Sequence, residues 1–165
     1  MPIRFDERGY IIPPEKDEMS LEEFEEIFVK SFPASSTRET LFAGYISYMR
    51  HFKVEIAEDF IHWIGGSFTT KKVNPNDIDL VTIIPYETFE AHIKLIEEKF
   101  RKKSFSTYGI DAYFVATYPE GHEKFSLYQG NLAYWNNQFS KTRKNRAGQR
   151  FKRGYIQITF QKQEL

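Results

Sequence analysis

Residues 63–81 read Trp63-Ile64-Gly65-Gly66-Ser67-Phe68-Thr69-Thr70-Lys71-Lys72-Val73-Asn74-Pro75-Asn76-Asp77-Ile78-Asp79-Leu80-Val81. Apolar and β-branched residues predict a strand over 59–64, ended by the two glycines, and a second strand over 77–84. The polar run 68–76 between them is a loop, with Pro75 and Asn76 as turn residues. Asp77 and Asp79 sit two apart, so a strand presents both carboxylates on one face and sends Ile78 and Leu80 into a core. Two neighbouring carboxylates repel each other and lose hydration on burial. A divalent cation removes that cost, and magnesium favours oxygen ligands of this kind, often one or two carboxylates plus substrate phosphates. Gly65 and Gly66 let the backbone turn tightly and approach a ligand, so that successive N–H groups form an anion-binding nest. Ser67 adds a hydroxyl, and Thr69, Thr70, Lys71 and Lys72 add further hydroxyls and positive charge. A phosphate cradle therefore precedes a metal-binding pair.

The next strand runs over 110–117. Its alternation puts Ile110, Ala112 and Phe114 on one face and Asp111, Tyr113 and Val115 on the other. An acid at Asp111 has a reason if it joins Asp77 and Asp79 across neighbouring strands. Three carboxylates on one sheet face suit two metals about 3.5–4 Å apart, the arrangement that clamps attacking and leaving oxygens in phosphoryl transfer.

A strand, Gly-Ser, a loop, Asp-x-Asp on a strand and a lone Asp on a later strand resemble the DNA polymerase beta-like nucleotidyltransferase superfamily. Its signature is a hydrophobic residue followed by Gly and then Gly or Ser, roughly ten residues, an acidic pair spaced by one between hydrophobics, then a third acid. Ile64-Gly65-Gly66-Ser67, Asp77-Ile78-Asp79-Leu80 and Ile110-Asp111-Ala112 fill those slots over about residues 60–117. The chain is most similar to small one-domain bacterial members and to an uncharacterised group with the same Gly-Ser-Phe-x-Thr-x-Lys-x-x-Pro-Asn-Asp-Ile-Asp run. The resemblance implies a short mixed sheet with packed helices. It implies that Gly66 and Ser67 hold the β- and γ-phosphates of a nucleoside triphosphate, and that Asp77 and Asp79 bind both magnesium ions, with manganese as a substitute. Asp111 then completes the metal site and helps deprotonate an acceptor hydroxyl. The reaction is attack on the α-phosphate with loss of pyrophosphate, driven by positioning and charge neutralisation. The acceptor is open: a protein side chain, an RNA end or a small molecule. Small members also imply a second reading, a weak or inactive copy of the fold that binds a co-encoded partner protein in a toxin–antitoxin or defence pair.

Outside the motif the pattern is α/β (α+β), with helices alternating with strands. Residues 1–14 read as an extended arm broken by Gly9 and Pro13-Pro14. Ser20 with Glu23 is a capping box opening a helix with Leu21, Phe24, Ile27 and Phe28 on one face. Phe42, Tyr45, Ile46 and Met49 mark a helix from about Ser36, and Phe89, Ile93, Ile96 and Phe100 one over 87–101. Phe125, Tyr128, Leu132 and Trp135 mark another, and a last strand spans 154–160. No linker or repeat divides the 165 residues, so one domain is expected.

Hydrophobic residues at 41% and aromatics at 17% supply a packed core. With no cysteine, disulfides, Cys-zinc sites and Cys nucleophiles are excluded. The four histidines fall at no metal-ligand spacing, and His62 reads as a packing or surface residue. Ser67 lacks the nucleophile-elbow context of a hydrolase. No signal-peptide core or membrane-length apolar run is present, so the expectation is a cytoplasmic protein with no membrane contact. Lys+Arg and Asp+Glu balance at 23 each, yet they are segregated. Glu15 to Glu26 is acidic, whereas 141–153 holds seven Lys or Arg and no acid. Arg143 and Arg146 would share a face if the preceding helix continued, and both are candidates to bind the nucleotide's phosphates with Lys71. A nucleic-acid-binding role for that basic segment is the third reading.

Overall fold

A computed structural model describes residues 3–162. Its centre is a five-stranded mixed sheet ordered β3-β7-β4-β5-β6, from strands β3 (Lys16–Glu18), β4 (Phe60–Gly65), β5 (Ile78–Pro85), β6 (Ile110–Thr117) and β7 (Tyr155–Phe160). β4 pairs antiparallel with both β5 and β7, while β5–β6 and β3–β7 are parallel. The arm of residues 1–14 contains a small antiparallel hairpin over its described part, β1 (Arg4–Phe5) with β2 (Ile11–Ile12). Its turn is closed by the Asp6 carboxylate, which accepts from the N–H groups of Arg8 and Tyr10.

Alternation along the strands sorts the sheet into two faces. Phe60, Ile64, Ile78, Leu80, Ile84, Ile110, Ile156 and Ile158 point into the large core. Helices α1 (Leu21–Glu25), α2 (Arg38–Glu55) and α5 (Ser104–Tyr108) cover it, with Phe24, Tyr45, Tyr48 and Phe52 fully buried. Helix α1 starts at the expected capping box, the Glu23 N–H donating to Ser20 Oγ at 3.1 Å and the Ser20 N–H to the Glu23 carboxylate. It is short, and the chain continues over Glu26–Lys30 as a wider π turn that still buries Phe28. Trp63, Val81, Ile83, Val115 and Tyr155 point to the opposite face. There α6 (Phe125–Phe139) lays Tyr128, Leu132, Trp135 and Phe139 on a much smaller cluster.

Three local expectations change. The acidic segment 15–26 includes an edge strand, β3, docked on β7 through its main chain. The helix expected over 87–101 is interrupted at His92, between α3 (Tyr86–Ala91) and α4 (Ile93–Leu95), and widens to a π turn over Ile96–Lys102. Ile96 and Phe100 are buried as expected, whereas that break turns Ile93 outward. The strand carrying the acid pair begins at Ile78, so Asp77 stands at its mouth. Among the described residues no helix is long and apolar enough to cross a membrane.

Candidate functional site

The register of the sheet assembles the acids. β5 and β6 are parallel and aligned so that Asp79 lies beside Asp111, while β4 runs antiparallel and sets Gly65 opposite Asp79. Asp79 and Asp111 share the smaller face with Trp63 and Val81, and Asp77 joins them from the residue before Ile78. One carboxylate oxygen from each of Asp77, Asp79 and Asp111 lies within 4.8 Å of the others, and all three residues are half-buried. The sequence therefore located the three acids, and the fold brings them together.

Electrostatics records their crowding. Burial raises the Asp79 carboxyl to about 7, and the neighbouring Asp77 and Asp111 carboxylates push it the same way. Asp77 is raised as well, first by burial and then by Asp111, and is drawn back by the positive charges of Arg143 and Lys72. Three carboxylates held against their own repulsion fit a divalent cation, which would neutralise the cluster and accept oxygen ligands at this spacing.

Gly66 follows β4 and adopts φ +69°, a left-handed conformation. A Cβ there would collide with the Asp79 carboxylate. The loop backbone thus approaches the acids as closely as a glycine permits. From Ser67 the chain makes a single 3₁₀ turn to Thr69, and Thr70 closes it by donating its hydroxyl and its N–H to the Ser67 carbonyl.

Two buried arginines hold this loop. Arg38, at the start of α2, is fully buried and donates to the carbonyls of Phe28, Phe68, Thr70 and Lys72. Arg153 is 4% exposed and donates to the Gly66 carbonyl at 2.7 Å and to the hydroxyl and carbonyl of Thr69. Burial lowers both guanidinium groups to about 10. Neither arginine was singled out from the sequence. Their partners are main-chain carbonyls, which leave no side-chain pattern to read.

The acids open into a cleft of about 1060 Å³ bounded by the Gly66–Lys72 loop, the arm, the end of α6 and the basic segment. Lys71, Arg143 and Ser67 line it. Lys71 is tied down at its N–H by the Gly9 carbonyl, and its ammonium stands 5.2 Å from the Phe5 ring. Arg146 does not belong to the lining. Helix α6 ends at Phe139, and residues 141–153 fold as an irregular hairpin whose ends meet at a Lys141–Lys152 bridge and whose tip is the turn from Asn145 to Gln149. Arg146 sits exposed in that turn, so the expected shared helical face with Arg143 does not form. Tyr113, Tyr134 and Trp135 form an aromatic wall on the cleft, with the Tyr113 ring 4.5 Å from Trp135 and its hydroxyl donating to Asp111. His62 is buried on the other face, bonded through Nδ1 to the Tyr45 hydroxyl, and burial lowers it to about 3, so it packs as a neutral ring.

A family model matches residues 3–159. The chain belongs to the family of unknown function DUF6932. The match spans the arm, the acid cluster, the basic hairpin and most of β7, so the parts that build the cleft all fall within the DUF6932 unit. No curated protein and no solved structure matches the chain.

Proposed function

We propose that this protein is a magnesium-dependent nucleotidyltransferase of the DNA polymerase beta-like type, moving a nucleoside monophosphate from a triphosphate to a hydroxyl. The observation that carries the reading is the contact between two elements: a left-handed Gly66 in a loop facing cations, pressed against Asp79 in a three-carboxylate cluster. A turn that offers N–H groups to phosphate and a cluster that needs a cation have a common use when they touch. That use is a metal–triphosphate complex.

Asp77, Asp79 and Asp111 would hold the magnesium, which when bound neutralises phosphate charge and favours the deprotonated acceptor. Gly66 and Ser67 bind the outer phosphates. Lys71 and Arg143 add positive charge from two sides of the cleft. Asp111 has the acceptor's proton within reach in this reading, and the Tyr113 hydroxyl orients it by donating to its Oδ2 at 3.2 Å. Arg38 and Arg153 direct their guanidinium donors to loop groups. They fix the loop so that its geometry is set before the nucleotide arrives.

Calorimetric titration with each of the four ribonucleoside triphosphates, with and without magnesium, tests the reading. Magnesium-dependent binding in the wild type, lost in Asp77→Asn/Asp79→Asn, is the expected result. A folded wild type that binds none of them would overturn it, leaving a partner-binding copy of the fold.

A further inference from the structure

The cleft holds more positive charge than a nucleotide requires. Two magnesium ions and a triphosphate carry about zero net charge between them. Against the three acids the cleft sets eight Lys and Arg, of which only Arg153 is buried on loop carbonyls. Among the described residues, the ion pairs are Lys99–Glu55, Arg101–Glu97 and Lys103–Glu98, all away from the cleft. Among the described residues none of the cleft's cations forms an ion pair with a carboxylate, although Arg143 and Lys72 lie near enough to act on Asp77. In a chain with no net charge, this is a local surplus facing one opening.

The surplus is concentrated on two segments that meet over the site. Arg8 lies 4.0 Å from the Phe151 ring, and Tyr10 stacks on the same ring at 6.4 Å, joining the arm to the 141–153 hairpin. From these segments Arg8, Lys141, Arg143, Lys144 and Arg150 reach the cleft. Aromatic surface is interleaved with them on α6, where Tyr134 is 53% exposed beside the half-buried Trp135. Unpaired cations that track a phosphate chain, alternating with rings on which bases stack, are how single strands are gripped without reading their sequence. A duplex hides the base faces those rings would use, and an acidic peptide would leave the rings without a role.

Resting on the nucleotidyltransferase reading, we propose that the acceptor is the terminal hydroxyl of a single-stranded nucleic acid, seated along the arm and the 141–153 hairpin. The acceptor oxygen forms a bond to the α-phosphorus, the bond from that phosphorus to the bridging β-phosphate oxygen breaks, and pyrophosphate leaves with the electron pair. The acceptor's proton passes to Asp111. The strand gains one nucleotide.

The test uses the full chain with 5′-fluorescent 20-nucleotide RNA and DNA oligonucleotides, single-stranded and in blunt duplex. Anisotropy is read across a salt series, and extension is read on a gel with triphosphates and magnesium. Single strands are expected to bind more tightly than the duplex, with affinity falling as salt rises, and to lengthen unless the 3′ hydroxyl is blocked. The RNA and DNA arms identify which sugar is accepted. Lys144→Ala/Arg150→Ala, two exposed positions, should lower affinity about tenfold and flatten the salt slope by about 1.4. Asp77→Asn/Asp79→Asn should keep strand binding and lose extension. Triphosphate binding with no binding of either oligonucleotide overturns the acceptor inference and leaves the proposed function standing. Strand binding in a protein that takes up no triphosphate overturns the proposed function, and the acceptor role with it. Transfer of labelled nucleotide to a protein in place of the strand overturns the inference alone.

Discussion

The two faces of the sheet are built to opposite rules. On one, α1, α2 and α5 seal a core in which buried polar groups are bonded: His62 to Tyr45, Tyr48 to the Phe100 carbonyl, and the Arg38 guanidinium to main-chain carbonyls. On the other, a small aromatic cluster under α6 gives way to three half-buried acids that repel one another. The same strands serve both, Leu80 facing one way and Asp79 the other. Stability is concentrated on the first face, which lets the second keep an unfavourable cluster of carboxylates.

Substitutions sharpen this contrast. The largest effect is expected from Phe52→Ala, which empties a fully buried position ringed by Tyr48, Phe60, Phe100 and Phe114. Urea unfolding should record a loss of about 3–5 kcal/mol, with nucleotide affinity unchanged in the folded fraction. Arg153→Met tests the link between the faces. It strands the Gly66 and Thr69 carbonyls and should cost on the order of 3 kcal/mol. It should also weaken triphosphate binding, which an arginine with no part in shaping the loop would leave alone.

Asp79→Asn should act in the opposite sense, stabilising the metal-free protein by about 1 kcal/mol in the same unfolding experiment while abolishing magnesium-dependent binding. Its pH dependence has a defined sign. The folded carboxyl titrates near 7 against an ordinary value of 3.8, so the folded state holds the extra proton between those values. The metal-free wild type should therefore lose stability as pH rises from about 4 to 7 relative to Asp79→Asn, and saturating magnesium should remove that difference above pH 7. The smallest effect is expected at Arg146, where alanine should change unfolding free energy by less than about 0.5 kcal/mol and leave triphosphate affinity intact. Arg143→Ala should weaken that affinity. Equal losses from the two would break the distinction drawn between the cleft and the hairpin tip.

The acid cluster was legible because strand periodicity is a short-range rule. Once Ile78-Asp79-Leu80 and Ile110-Asp111-Ala112 are read as strands, the facing of each aspartate follows, and only the pairing of β5 with β6 was left to the fold. Helix α2 was legible through Phe42, Tyr45 and Met49 for the same reason. β3 was hidden because Lys16-Asp17-Glu18 has no apolar alternation, and main-chain hydrogen bonds at a sheet edge accept any side chain. The condition for Arg143 and Arg146 to share a face, a continued helix, fails because α6 stops at Phe139, with no glycine or proline to mark its end. Arg38 lay beyond sequence reading altogether, and Arg153 was read only as one of the seven cations of 141–153, not as a clamp on the loop. A guanidinium bonded to carbonyls, 30 residues away for Phe68 and 87 for Gly66, has no complementary residue to betray it.

The strand order has a consequence for synthesis. β7, the last strand of the sheet in the chain, lies between β3 and β4, inside the sheet rather than at its border. At ribosomal speeds roughly 5–20 s separate the emergence of Gly65 from that of Phe160. Throughout that interval the nascent chain carries β4 with one side open, and Arg153 has yet to reach the Gly66 loop. The cleft is therefore completed only once residues 141–160 have been made, and until then the growing chain can pair its exposed strand with a neighbour on the same message.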